Sequence, residues 1–191
     1  MTTGFPVLAT KRLVLREFQS SDAPAVFDIF SYEGVTRYHN VDTMTSLDQA
    51  EKIVANRMRL FPNQWGIRWA ITHREAGNPV IGSCGFYMAN QEFRSAEIGF
   101  ELHPDYWRQG LMTETLSAVL NLGYSERFFF ELNRVQAFTS LENIASINLL
   151  LKFGFQLEGI LREYGYWKDR FHDLRIFSLL RREWRNHDLV E

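Results

Sequence analysis

Short runs in which apolar and polar residues alternate are separated along the chain by runs with helical spacing. Residues 11–18 set Leu13 and Leu15 against Arg12 and Arg16, a period of two that predicts a strand. Ser20-Ser21-Asp22 then offers capping side chains to a helix carrying Ala25, Val26, Ile29 and Phe30. Residues 31–44 show no sustained period and read as irregular. Ser46 with Gln49 fits a capping box for a second helix ending near Phe61-Pro62, whose stripe of Ile53, Met58 and Leu60 is ragged. Residues 67–73 and 80–88 predict two strands around the turn signal Ala76-Gly77-Asn78-Pro79.

The second half is more strongly patterned. In residues 94–102, Ile98, Phe100 and Leu102 alternate with Glu97, Gly99 and Glu101, again a strand. His103-Pro104-Asp105 ends its ladder. The loop Tyr106-Trp107-Arg108-Gln109-Gly110 runs into a helix marked by Met112, Leu116, Val119 and Leu120 and ending around Tyr124. Residues 134–140 predict another strand. Asn143 opens a helix with Ile144, Ile147, Leu150 and Leu151, closed by Gly154 as a left-handed cap with Phe155 beyond. Strands over 156–167 and 171–180 follow, with Lys168-Asp169-Arg170 as the hairpin turn. There is no linker, repeat or low-complexity tract, so the expectation is one mixed α/β (α+β) domain.

A strand that feeds a helix through a basic, glycine-containing loop leaves backbone N–H groups unpaired at the helix start, at the positive end of its dipole. That is a site suited to a phosphate or diphosphate. Composition narrows the field. With 191 residues, 46% hydrophobic and 15% aromatic, the chain has enough apolar surface for a packed core. Its 21 basic and 23 acidic residues leave a net charge of −2, against non-specific nucleic-acid binding. The single Cys84 allows neither an internal disulfide nor a paired-cysteine metal site. No apolar run reaches the ~20 residues of a membrane span and no signal-peptide core is seen, so a cytoplasmic protein is expected.

The run Trp107-Arg108-Gln109-Gly110-Leu111-Met112 resembles the coenzyme A-binding motif of the GCN5-related N-acetyltransferase (GNAT) superfamily, Gln/Arg-x-x-Gly-x-Gly/Ala. The central glycine matches; Trp107 stands where the motif has its first polar residue, and Met112 where it has a small one. Gly110-Leu111-Met112-Thr113-Glu114 is similar to the branch of RimJ/RimL-type protein N-terminal acetyltransferases. So are Asn143 and Ser146 leading to Lys152-Phe153-Gly154-Phe155, and residues 157–163 with His172-Asp173. The resemblance implies a GNAT domain over residues 10–184 between tails at 1–9 and 185–191. Its sheet would be mixed, of about seven strands, largely antiparallel with one splayed parallel pair, and flanked by about four helices.

Further implications concern chemistry. The co-substrate would be acetyl-CoA, with no metal, and the acceptor a primary amine, most like the N-terminus of a ribosomal protein. A small-molecule amine such as a polyamine or aminoglycoside, and a non-catalytic CoA-sensing module, stand as alternatives; monomer and homodimer are both open. Acetyl transfer needs an anchored donor, a polarised carbonyl, a neutral amine and a protonated leaving thiolate. By the resemblance, amides near Phe100 and Leu102 hold the pantetheine arm, while Arg108, Gln109, Gly110, Leu111, Met112 and Thr113 take the diphosphate. Asn143 would touch the pantetheine, and Ser146 would protonate the thiolate. Glu101 is the candidate base, with a solvated carboxylate or strand-end ion pair as its plain alternative; Glu163 is a second candidate at the acceptor. Tyr164, with Tyr166 and Trp167, would line the acceptor groove, and His39 is a candidate substrate contact. His73, His103, His172 and His187 read as structural or solvated, Cys84 as a buried small hydrophobe, and residues 181–185 as a solvated end.

Overall fold

The alternating segments pair into one sheet, as the computed structural model shows for residues 4–75, 77 and 79–185. The turn expected at Ala76-Gly77-Asn78-Pro79 lies partly outside the described residues; His187 and the rest of 186–191, like 1–3, lie wholly outside. In chain order the elements are β1 (Leu8–Ala9), β2 (Leu13–Arg16), α1 (Ala23–Ser31), α2 (Glu33–Thr36), α3 (Leu47–Leu60), β3 (Ile67–His73), β4 (Gly82–Asn90) and β5 (Ser95–Leu102). They continue with α4 (Leu111–Gly123), β6 (Arg134–Ser140), α5 (Ile144–Lys152), β7 (Gln156–Trp167) and β8 (Arg170–Leu180). Among the described residues the sheet has eight strands in the order β1-β2-β3-β4-β5-β6-β8-β7. Every neighbouring pair is antiparallel except β5 with β6.

Three local differences from the sequence reading have simple causes. β1 falls within the expected N-terminal tail: two residues are too few to show a period, yet Leu8 and Ala9 pair with Leu15 and Val14. Residues 31–44 include the single helical turn α2, too short for an apolar stripe. The segment after β8 is not a solvated end, because the Arg181 guanidinium donates to the Leu132 carbonyl at 2.8 Å and Trp184 stacks on Tyr124 at 6.0 Å.

Two of the expected side-chain caps form, whereas Asp22 makes no side-chain cap to α1 because its carboxylate is taken by Arg16. Gln49 Oε1 accepts from the Ser46 amide at 3.1 Å, and Asn143 Oδ1 accepts from the Ser146 amide at 3.2 Å. Lys168 and Asp169 both take left-handed φ, 53° and 58°, making a two-residue hairpin loop whose twist suits the flanking strands. Helices cover both faces of the sheet. Ile67, Trp69 and Ile71 of β3 and Ile98 and Leu102 of β5 share one core cluster with residues of α4 and α5. Ala70, the next residue along β3, joins Phe18, Val26, Ile29 and Phe30 beneath α1 and α3. Alternation along each strand therefore assigns every side chain to a layer.

Leu120, fully buried on α4, belongs to the larger cluster. Leu120→Ala should cost about 2–5 kcal/mol through lost burial and the cavity left behind. Urea unfolding should show a lower midpoint with an unchanged slope.

Candidate active site

Strand β5 stays paired with β4 as far as Leu102, opposite Gly82. Its parallel pairing with β6 stops at Glu97, opposite Gln136. Strand β6 meanwhile stays zipped to β8 through Ser140. The two strands are thus held apart from outside, and beyond Ile98 the edge of β5 turned toward β6 has no strand beside it. Backbone groups of alternate residues point to opposite edges of a strand. The His103 amide donates to the Ile81 carbonyl at 2.8 Å, on the β4 side. Counting back, Glu101, Gly99 and Glu97 also face β4; Ile98 faces β6, where its amide closes the last bridge to Gln136, and Phe100 and Leu102 face the gap. The Leu102 carbonyl confirms this, for it accepts the Trp107 indole N–H at 2.6 Å.

The chain next makes a 3-10 turn at Pro104–Tyr106 and enters α4 through Gly110 as N-cap, at φ 75° and ψ 3°. A left-handed cap without a side chain is glycine's role. It also leaves the first amides of α4, at Leu111, Met112 and Thr113, with no capping oxygen from that residue. Trp107 lies against Gly34, where an added Cβ would meet its ring at 3.2 Å. The side chain that departs from the motif thereby ties this loop to the segment after α1.

Two cavities meet at the gap. The larger, about 620 Å³, runs from Arg108, Gly110, Leu111, Met112 and Thr113 past Leu102 and Phe100 to Asn143 and Ser146. The smaller, about 300 Å³, is lined by Tyr38, Tyr87, Glu97, Gly99, Tyr164 and Trp167 among others. His39, Tyr38, Phe100, Asn143 and Ser146 line both, so these residues mark where the cavities join.

Most of the expected site residues are brought together here. The Gln109 side chain instead donates to the Asp105 carbonyl at 2.7 Å and lines neither cavity. Glu163 also lines neither: it is exposed, at φ 52° where the β7–β8 register shifts, with its amide donating to Asp173 at 2.8 Å. Tyr164 reaches the smaller cavity and stacks on Phe138 at 5.2 Å.

Electrostatics separate two glutamates on one face of β5. Glu101 is buried and accepts from Arg57 (2.9 Å), Arg68 and Ser83. Burial opposes its charge, but Arg57, Arg68, then His39 and the Ser83 hydrogen bond outweigh it and hold the carboxyl at about 2. Arg57 is in turn lowered to about 10 by burial, and its guanidinium lies over Phe18 and Phe30 at 5.0 and 5.5 Å. Glu101 is therefore the ion pair named as its plain alternative. Glu97, half-buried, accepts from the Gln136 amide at 3.3 Å, and burial raises its pKa. Burial likewise lowers that of His39, keeping the ring neutral near pH 7. Sequence reasoning passed over Glu97, Tyr87 and Tyr38. Glu97 shares a strand face with Glu101, but nothing in the alternation says which of the two is neutralised.

With this geometry described, comparison with known proteins is informative. The model of the acetyltransferase (GNAT) domain family matches residues 12–156, and the chain belongs to that family of N-acetyltransferases, whose donor is acetyl-CoA. The chain is 40% identical over 177 residues to the "uncharacterized N-acetyltransferase YoaA" of Bacillus subtilis (strain 168), covering 93% of this chain and 98% of that one. It is 36% identical over 177 residues to the "uncharacterized N-acetyltransferase p20" of Bacillus licheniformis, at 93% and 97% coverage. A solved RimL ribosomal L7/L12 alpha-N-protein acetyltransferase in complex with coenzyme A shares the fold, with TM-score 0.78, 22% identity, and 92% and 98% coverage.

Glu101→Gln would leave two buried guanidinium groups without a counter-charge, a loss of about 3–5 kcal/mol. The native carboxyl titrates below its unfolded value of ~4.3. Its contribution is therefore complete above that value and fades as pH falls toward about 2. Urea midpoints of wild type and variant should differ widely at pH 7 and converge as pH is lowered from ~4 toward about 2.

Proposed function

We propose that the chain transfers the acetyl group of acetyl-CoA directly to the N-terminal amine of a polypeptide, ribosomal proteins being the model acceptor. The observation that carries this reading is the junction of the two cavities beside the unpaired edge of β5. The larger cavity fits the donor: free amides of α4 for the diphosphate, and the edge at Phe100 and Leu102 for the pantetheine arm. The resemblance to RimL-type enzymes supports the choice of acceptor. So do the exposed aromatics Tyr164, Tyr166 and Phe171 on the β7–β8 hairpin, a surface for the residues after the reacting one.

Within this reading Glu97, rather than Glu101, receives the proton of the incoming ammonium. Moving a proton from an amine of pKa ~8 to a carboxylate at about 2 is uphill by about 8 kcal/mol. Glu97, raised by burial and facing the smaller cavity, sits closer to the amine in proton affinity. The neutral nitrogen then attacks the thioester carbon while an amide of the open edge polarises the carbonyl. As the carbon–sulfur bond breaks, the proton shed by nitrogen reaches the thiolate through the Ser146 hydroxyl. That thiol has pKa ~8.5, so losing Ser146 should slow turnover without abolishing it. Asn143 spends its oxygen on the cap and keeps its amide N–H groups for the pantetheine.

A small-molecule amine is the second reading, favoured by the modest volume and aromatic lining of the smaller cavity. The test is release of free thiol from acetyl-CoA with peptides beginning Ala or Ser, the same peptides N-terminally blocked, a polyamine and an aminoglycoside. Release with open but not blocked peptides is expected. Release with only the small amines would move the function to the second reading, and no release with any would leave a CoA-binding module. With the productive acceptor, Glu97→Gln should lower kcat/KM by roughly 10²–10⁴-fold near pH 7. The deficit should narrow above pH ~8, where the amine is already neutral.

A further inference from the structure

Glu114 is a carboxylate in the first turn of α4 that is 4% exposed and lines neither cavity. Its Oε1 accepts from the Thr10 hydroxyl at 2.5 Å and the Arg12 amide at 2.8 Å, and its Oε2 from Arg12 Nε at 2.7 Å. Burial opposes its charge, but these donors outweigh it and lower the pKa. Thr10 also accepts from the Leu13 amide at 3.0 Å, fixing the turn between β1 and β2. The Arg12 guanidinium is thereby held in one orientation, although its side chain is 44% exposed.

Held this way, Arg12 Nη1 donates to the Gln109 carbonyl at 3.0 Å. In a planar trans peptide the carbonyl and the following N–H point in opposite directions. Turning the Gln109 carbonyl toward Arg12 therefore aims the Gly110 N–H away from Arg12. Arg12 does not line the larger cavity and Gly110 does, so the guanidinium lies behind the loop. The loop needs such a hold. Arg108 and Gly110 both have left-handed φ, 59° and 75°, and glycine adopts either sign of φ without strain, so its own chemistry does not fix that peptide plane. The packing is close, an added Cβ on Gly110 meeting Arg12 Nη2 at 3.6 Å.

We propose that Arg12, locked by Glu114 and Thr10, is a positioning residue for the donor: it fixes the Gln109–Gly110 peptide so that its N–H faces the diphosphate. The proposal rests on the reading that this loop grips the diphosphate of acetyl-CoA. Lysine keeps the charge, but its single ammonium cannot engage Glu114 and the Gln109 carbonyl in the geometry of the planar fork.

The test measures CoA by calorimetry and pantetheine, which has no phosphate, by NMR titration at millimolar concentration. Wild type, Arg12→Ala and Arg12→Lys are compared. Both variants should bind CoA roughly tenfold more weakly, the factor that corresponds to about 1.4 kcal/mol, and pantetheine as well as wild type does. Unchanged pantetheine binding also reports an intact fold. The proposal is overturned if Arg12→Ala binds CoA normally, if it loses CoA and pantetheine alike, or if Arg12→Lys restores full affinity, which would make the effect one of charge alone. Wild type binding CoA no better than pantetheine would instead defeat the diphosphate reading itself.

Discussion

Everything at the site depends on β5 and β6 parting after Glu97. A parallel pair that ran on to Leu102 and Ser140 would satisfy its own amides and leave no slot between the strands. What keeps it open lies on either side. Strand β5 is held by its ladder to β4 and, through Glu101, by ion pairs to Arg68 on β3 and Arg57 on α3. Strand β6 is held by its full ladder to β8. The Trp107 indole takes the Leu102 carbonyl, so the far end of the open edge is capped by the loop that leads into α4. One local separation thus sets out, in order, an unpaired strand edge and then the uncapped amides of α4.

The same strand shows how environment assigns roles to like residues. Glu97 and Glu101 lie on one face of β5, four residues apart. Two arginines and a serine surround Glu101, and it serves as a structural anion under α3. Glu97 accepts from the neutral Gln136 amide and has a half-buried position beside Tyr87 and Tyr164. Pushing the proton affinities of paired groups apart is how one site can supply both a fixed charge and, on the proposed mechanism, a proton acceptor.

Much of this was legible in the residues. The alternation at Ile98, Phe100 and Leu102, the proline after it and the glycine before the next apolar stripe located β5, the loop and α4, and the Asn143 cap placed α5. The ragged stripe on α3 was incomplete for a physical reason. Ile53 and Met58 pack against the core beside the buried Ala50 and Val54, and Arg57, its side chain 11% exposed, extends that face at helical spacing, an arginine that no apolar count includes. Arg57 is buried because Glu101 neutralises it and two phenylalanines cover it, and those partners are 27 to 44 residues away in sequence. The same holds for Arg12 and Glu114, 102 residues apart. Charge pairs of such range follow from topology, which the alternation of a single strand does not encode.

Amide hydrogen exchange along β5, with and without CoA, addresses the central claim directly. In the free protein the Phe100 and Leu102 amides should exchange much faster than those of Gly99 and Glu101, which face β4, and CoA should slow the fast pair selectively. Equal protection of all four amides in the free protein, or no change at Phe100 and Leu102 on saturation with CoA, would contradict an open strand edge that holds the donor.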